Sequence, residues 1–362
     1  MRAEQLHRAA VQYASPSPAP QAPPLDALVG LSVSRREEFA RQSRRWLNGR
    51  YFDSARDRRL RADFDDFVED NHDSFIGTRD LLILTGDNCL GKSTLLTTWA
   101  MRHHLQVIGE WTDPDCQPRH QHHSGPGEVL TVPTVPVLLL SLPADTTVAK
   151  FDQQLFLALC YSSTAFKQGH YLDVLRRHRV GVVIIDDLHL LATTDKRGRH
   201  VLDHIKEMLT AVGEHGISVI VAGAHLHRHP IMDDPQVTRR AREHQIQPYC
   251  ADTGTDRESW QWFLKEAEDH IRPLLPRLEP GTLYNDLAPA ALERSNGVMR
   301  DVVTLLKQAP VHAIRDGSWT ITTQHLDAAQ LSIDSQRRAE ARKQRAASTT
   351  GQGRARPLRA GA

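Results

Sequence analysis

Residues 79–99, RDLLILTGDNCLGKSTLLTTW, run from an apolar stretch through a glycine-bounded loop into a helical composition. The apolar run is short and continuous, the pattern of a strand covered on both faces. Gly86-Asp87-Asn88-Cys89-Leu90-Gly91-Lys92-Ser93 matches G-x-x-x-x-G-K-[ST] with the strand ahead and the helix behind that the motif requires. Its chemistry is anion capture. Glycines let the backbone curl until its N–H groups face phosphate oxygens, and the helix that follows adds its positive end. Gly86 through Thr94 are therefore the expected ATP-binding residues, with Lys92 on the β- and γ-phosphates and the Ser93 hydroxyl on Mg²⁺. The competing reading is an ordinary strand-to-helix turn.

Outward from this stretch the same alternation repeats. VPVLLLSLP (135–143), VGVVIIDD (180–187) and ISVIVAGA (217–224) are three more buried-type strands, and HQIQPY (244–249) is a candidate fifth. Amphipathic helices through Phe151, Leu155 and Leu159, and through Val201, Ile205, Met208 and Val212, separate them. Strands alternating with helices predict an α/β domain with a doubly wound, mostly parallel sheet. A P-loop needs a carboxylate on the Mg²⁺ side at the end of a neighbouring strand, and Asp186 follows four apolar residues. Asp187 stands where a water-polarising acid belongs; a helix N-cap is its other reading.

The rest of the chain bounds the class. At 362 residues, with 40% hydrophobic and 25% charged, it holds about two domains plus tails, and global disorder is excluded. Nothing approaches a membrane span and residues 1–24 lack the apolar region of a signal peptide, so a cytoplasmic protein is expected. Four scattered cysteines indicate neither a disulfide framework nor a zinc site. His103, His104, Cys116, His120, His122 and His123 fit no standard ligand spacing, and the polar stretch 106–134 reads as a long loop. The net charge of +1 leaves nucleic-acid contact to local patches. One is residues 35–61, with ten arginines against four acids, including Arg35, Arg36, Arg44, Arg45 and Arg50 interleaved with Trp46, Tyr51 and Phe52. The bland reading is a helix packed on the core with its arginines solvated. After Tyr249 the strands stop, and a helix opened by a Thr255–Glu258 capping box precedes helices over 287–295, 298–315 and 323–331. The expected organisation is a disordered arm (1–33), a basic helical segment (34–76), a P-loop core (77–250), a helical lid (251–332) and a basic disordered tail (333–362).

GDNCLGKST, VPVLLLSLP, VVIIDDLHLL, ISVIVAGAHL and QVTRRAREHQIQPY follow one another in the order and spacing of TniB-type proteins, the AAA+ ATPases of transposons, which are similar to the transposition regulator TnsC. The resemblance covers about 35–330 and implies the AAA+ arrangement, a P-loop core with a C-terminal helical lid. Family members usually carry Asp-Glu where this chain has Asp186-Asp187, so ATP hydrolysis is expected to be slow. It implies that Arg239, Arg240 and Arg242 fall where a finger reaching the adjacent protomer belongs, and that Arg300 belongs to the second-sensor helix. For each, an ordinary surface arginine is the other reading. Ala224 replaces the hydroxyl residue that usually senses the γ-phosphate, leaving His225 as a substitute. The implied function is an ATP-dependent regulator of transposition that assembles as an oligomer on double-stranded DNA and recruits a transposase, with no membrane partner. The alternatives are a helicase-loader-like ATPase and a signalling or defence NTPase that acts without DNA.

Overall fold

The computed structural model describes residues 1–74, 79–109, 111–125, 127–143, 145–162, 170–191, 196–338 and 340–341. Two compact units are each assembled from separate stretches of chain: Met1–Pro16 with Arg56–Gln247, and Ser17–Ala55 with the chain from Pro248 onward.

In the first unit, five strands form one sheet: β1 (Leu81–Gly86), β4 (Val137–Ser141), β5 (Val182–Asp186), β6 (Ser218–Gly223) and β7 (Ala241–Ile246). Their order across the sheet is β4-β5-β6-β1-β7, and every pairing is parallel. β1, β5 and β6 are buried along their whole length, which is why they read as continuous apolar runs. β7 is an edge strand of polar sequence, AREHQI, buried only at Ile246. It begins three residues before the expected 244–249. The helices of this unit are α1 (Ala3–Ala14), α3 (Ala55–Asp73), α4 (Lys92–Ile108), α5 (Val148–Ala158), α6 (Tyr171–Arg177), α7 (Lys196–Glu214) and the short α8 (Pro235–Thr238). Phe151, Leu155, Val183, Ile185, Ile205, Met208 and Val221 share one core.

Several expectations are corrected here. The arm 1–33 is not disordered throughout: Ala3, Leu6, Ala10 and Val11 are buried on one face of α1. A proline-serine run limits order only where it stands, and α1 precedes it. α1 is tied to α4 by a buried histidine pair, His7 Nδ1 and His104 Nε2 being 3.0 Å apart. His7 Nε2 donates to the Asp113 carbonyl at 2.9 Å, so in the neutral pair His7 Nδ1 is the acceptor and His104 Nε2 the donor. Among the described residues, His104 Nδ1 is then a buried lone pair without a partner. Protonating it would place an N–H there with nothing to accept it, and burial accordingly pushes the His104 pKa down to about 4. The 106–134 stretch is not one long loop: β2 (Arg119–Gly125) and β3 (Glu128–Pro133) pair as an antiparallel hairpin. His120 there bonds the Thr134 hydroxyl and the Arg177 carbonyl. Among the described residues, no group of three His, Cys, Asp or Glu could hold a metal.

The second unit is helical: α2 (Val33–Asn48), α9 (Gly254–Ile271), α10 (Ala288–Ser295), α11 (Met299–Asp316) and α12 (Thr323–Ala328). Phe39, Leu47, Phe52, Trp260, Phe263, Leu305 and Trp319 share its core. The segment 34–76 is therefore not one body, because α2 belongs here and α3 to the first unit. The capping box sits two residues before the expected one: Asp256 N donates to Thr253 Oγ1 and Thr253 N donates to Asp256 Oδ2, both at 3.1 Å. Asn296 and Gly297 break the chain between α10 and α11 with positive φ values of 52° and 67°. A Cβ on Gly297 would stand 1.8 Å from the Tyr249 carbonyl oxygen, so only glycine fits. Residues 333–338, expected to be disordered, are helical, and buried Ser335 donates its hydroxyl to Asp301. The rest of the expected basic tail, 342–362, lies outside the described residues.

Candidate nucleotide site

β1 lies between β6 and β7, and its carboxyl end opens into the loop Asp87–Gly91 and then α4. In open parallel sheets ligands bind beyond the carboxyl ends of the strands. α4 is fixed from below by α3: Trp99 Nε1 donates to Asp65 at 2.7 Å and its ring meets Phe64 edge-on. At the head of the loop, Gly86 has φ of 145° and a Cβ there would lie 2.3 Å from the Ile246 carbonyl oxygen. Glycine is thus required for β7 to approach the loop. Cys89 and Gly91 also take positive φ, 67° and 93°. Asp87, Asn88, Cys89, Ser93 and Thr94 are exposed, while Leu90 plugs the loop into the interior.

Lys92 is 7% exposed and donates to the carbonyls of Gly86 and Asp87 at 2.8 and 2.7 Å. Burial pushes its pKa down, against the charges of Asp186, Asp87 and Asp187, which hold it up. Lys92 and these three aspartates therefore share one electrostatic site. Asp186 ends β5 and accepts from the Asp187 backbone N–H at 2.8 Å. Asp187 adopts a left-handed conformation with φ of 60° and makes no helix-capping bond. Instead its carboxylate accepts from the Ser141 hydroxyl at 2.9 Å, across the register that sets Ser141 beside Asp186. A non-glycine residue in that conformation is strained, and such strain concentrates at functional positions.

Ser141 was not among the expected site residues; its only sequence signal is a hydroxyl at the end of an apolar strand. His225 follows β6 with φ of 50°, its Nδ1 3.5 Å from the Asp87 carboxylate. The loop, Asp186, Asp187, Ser141 and His225 thus gather at one end of the sheet. The Ser93 hydroxyl and Asp186 carboxylate are all-oxygen donors, the chemistry Mg²⁺ takes.

The arginines divide. Arg242 lies on β7, bound to Asp70 at 2.7 Å and Asp80 at 3.0 Å, with its guanidinium over Phe67. Arg240 donates to the Gln236 carbonyl at 2.8 Å, and Arg239 is exposed at the end of α8. Arg300 is exposed in the first turn of α11, in the helical unit. Phe52 is core, and Arg50 packs over the Trp46 ring 4.3 Å from its centroid, so these aromatics pack within the helical unit. Among the described residues no helix is long and apolar enough to cross a membrane.

The family described as bacterial TniB protein matches residues 72–250. No curated protein matches the sequence. Among solved structures the chain is similar to domain III of the replication initiation protein DnaA of Thermotoga maritima, at 11% identity and a TM-score of 0.46 over 76% of this chain and 91% of that one. It is also similar to the Aeropyrum pernix ORC1 protein in complex with DNA, at 15% identity and a TM-score of 0.46 over 76% of this chain and 63% of that one. A Walker-type ATPase of Pyrococcus abyssi shows 14% identity and a TM-score of 0.46 over 84% and 76%.

Proposed function

With residues 72–250 making the core of this chain a member of the TniB family of AAA+ ATPases, we propose that it is an ATP-dependent regulator of transposition that assembles on target DNA and recruits a transposase. The observation that carries the nucleotide chemistry is the convergence of Lys92, Asp186 and a strained, Ser141-held Asp187 on one loop. Backbone N–H groups of the loop and Lys92 receive the β- and γ-phosphates, Lys92 exchanging its carbonyl partners for phosphate oxygens. Ser93 and Asp186 hold Mg²⁺, which neutralises phosphate charge when bound. Asp187 orients the attacking water, and Ser141 orients Asp187. Aspartate is one methylene shorter than glutamate, so its carboxylate stands further from that water and turnover is slow.

His225, beside Asp87, takes the γ-phosphate-sensing position that Ala224 cannot fill. Arg242 is committed to two carboxylates of its own protomer, which leaves Arg239 and Arg240 to reach a neighbour's γ-phosphate. Nucleotide then acts as a switch: bound ATP organises the oligomer and hydrolysis releases it. Exposed arginines of α2, Arg35, Arg41, Arg44 and Arg45, supply phosphate contacts that add up only when several protomers line a duplex. The test is duplex binding and particle size with ATP, ADP or no nucleotide. ATP-dependent assembly on DNA is expected; equal weak binding in all three states would overturn the DNA reading and favour a signalling NTPase.

A further inference from the structure

The helical unit contains a cleft of about 370 Å³ between the end of α2, the middle of α11 and the chain after α12. Arg44 and Asn48 line it from α2, and Lys307, Gln308, His312 and Arg315 from α11. Four of these six side chains are cationic or can become so. Among the described residues only one of them pairs with a carboxylate: Arg315 grips Glu37 through two hydrogen bonds of 2.9 and 3.0 Å. Lys307 Nζ donates to the Asn48 carbonyl at 3.3 Å. Among the described residues neither Arg44 nor Lys307 has a carboxylate partner. Burial pushes the Lys307 pKa down.

A half-buried ammonium with one backbone acceptor is an unmet demand for negative charge. The cleft walls are also held in place. Gln308 accepts from the Gln330 backbone N–H at 2.8 Å and donates back to its carbonyl at 3.5 Å, fixing the chain after α12 against α11. The Arg315–Glu37 pair fixes α2 against α11 at the other end. A water occupies about 30 Å³ of liquid, so the cleft has room for a phosphate and the group it is attached to.

We propose that this cleft is a second anion site, which binds a phosphate group through Lys307 and Arg44 with His312 at its side. The phosphate comes either from a small phosphorylated ligand or from the backbone of duplex DNA. The duplex source rests on the DNA reading above; the small-ligand source is independent of it.

Pyrophosphate is titrated calorimetrically without Mg²⁺ into the full chain with Lys92→Ala, so that the P-loop no longer contributes phosphate binding. A labelled 30-base-pair duplex is titrated by anisotropy at 50 and 200 mM salt into the full chain with Lys92 intact and ATP present, since assembly on DNA requires nucleotide. At least one probe is expected to bind, and adding Arg44→Gln with Lys307→Met should weaken it at least tenfold, while Lys307→Arg changes it less than threefold. Loss for duplex alone assigns the phosphodiester and should lower the salt slope by about 1.8, at 0.9 per contact. Loss for pyrophosphate alone assigns a small ligand. If neither probe binds, or if a variant with the parental melting temperature binds as the parent does, the inference is overturned. ATP binding by the chain with Lys92 intact is read separately, so that failure would leave the P-loop reading standing.

Discussion

Acid should weaken the first unit through one imidazole. His104 is 1% exposed, and among the described residues its Nδ1 has no acceptor for the proton it would gain. Its pKa is about 4 in the folded chain against an ordinary value of 6.5, which the unfolded chain regains. Between these values the unfolded state binds more protons, so stability is fully present above pH 6.5 and is lost as pH falls toward 4. Integrating the two titrations gives a loss of about 2 kcal/mol between pH 7 and pH 5 from this group alone. His103, His178 and His229 are also shifted down by burial and steepen the total. The isolating comparison is His104→Gln, whose amide can still donate to His7 Nδ1 but cannot titrate. Urea unfolding of both chains at pH 7, 6 and 5 should show the parent losing about 2 kcal/mol more than the variant. Parallel pH profiles would refute the buried-lone-pair reasoning.

The site yields further tests. Lys92→Ala should abolish binding of labelled ATP, because it removes the buried cation facing the phosphates; undiminished binding would reject the assignment. Asp187→Asn should retain ATP and reduce steady-state phosphate release at least about a hundredfold, with Ser141→Ala reducing it about tenfold because Asp187 loses its positioning bond. Parental turnover in the Asp187 variant would make that residue structural. Mixing a variant lacking Arg239 and Arg240 with Lys92→Ala should restore part of the turnover, each protomer supplying the half-site the other lacks; a mixture with no gain would argue for a site within one chain. Gly297→Ala should cost about 3 kcal/mol or more, read as a lowered urea midpoint, since its Cβ meets the Tyr249 carbonyl. A midpoint within error of the parent would show that the 296–297 turn can relax.

The parts of the fold legible in the sequence are those buried on two faces. β1, β5 and β6 announce themselves as unbroken apolar runs, and Asp186 is found by counting to the end of one of them. β7 and the β2–β3 hairpin carry no such signal, because an edge strand and an exposed hairpin leave most of their side chains in water. α1 did leave one, with apolar residues at 3, 6, 10 and 11 on a helical face, but the prolines and serines after Ala14 mask it. Ser141 could not be read from local pattern, and His225 follows from the family resemblance alone. Ser141 reaches Asp187 through the pairing of β4 with β5, and His225 reaches Asp87 through the turn after β6, both facts of tertiary register.

The two-part composition of the helical unit also sets an order of events during synthesis. α2 packs on α11, and Glu37 meets Arg315 across 278 positions of chain. At a translation rate of about 5–20 residues per second, α2 waits roughly 15–55 s for its partner helix to be made. Through that interval Phe39, Ala40 and Leu47 have no native surface to cover them. The first unit can close meanwhile, since its last strand ends at Ile246. A nascent chain halted near residue 250 should therefore carry a folded sheet domain alongside a basic helix whose apolar face is bare, a natural client for a holding chaperone. By the same logic, starting translation at Arg56 would strip α11 of its seam partner and leave the C-terminal half prone to aggregate.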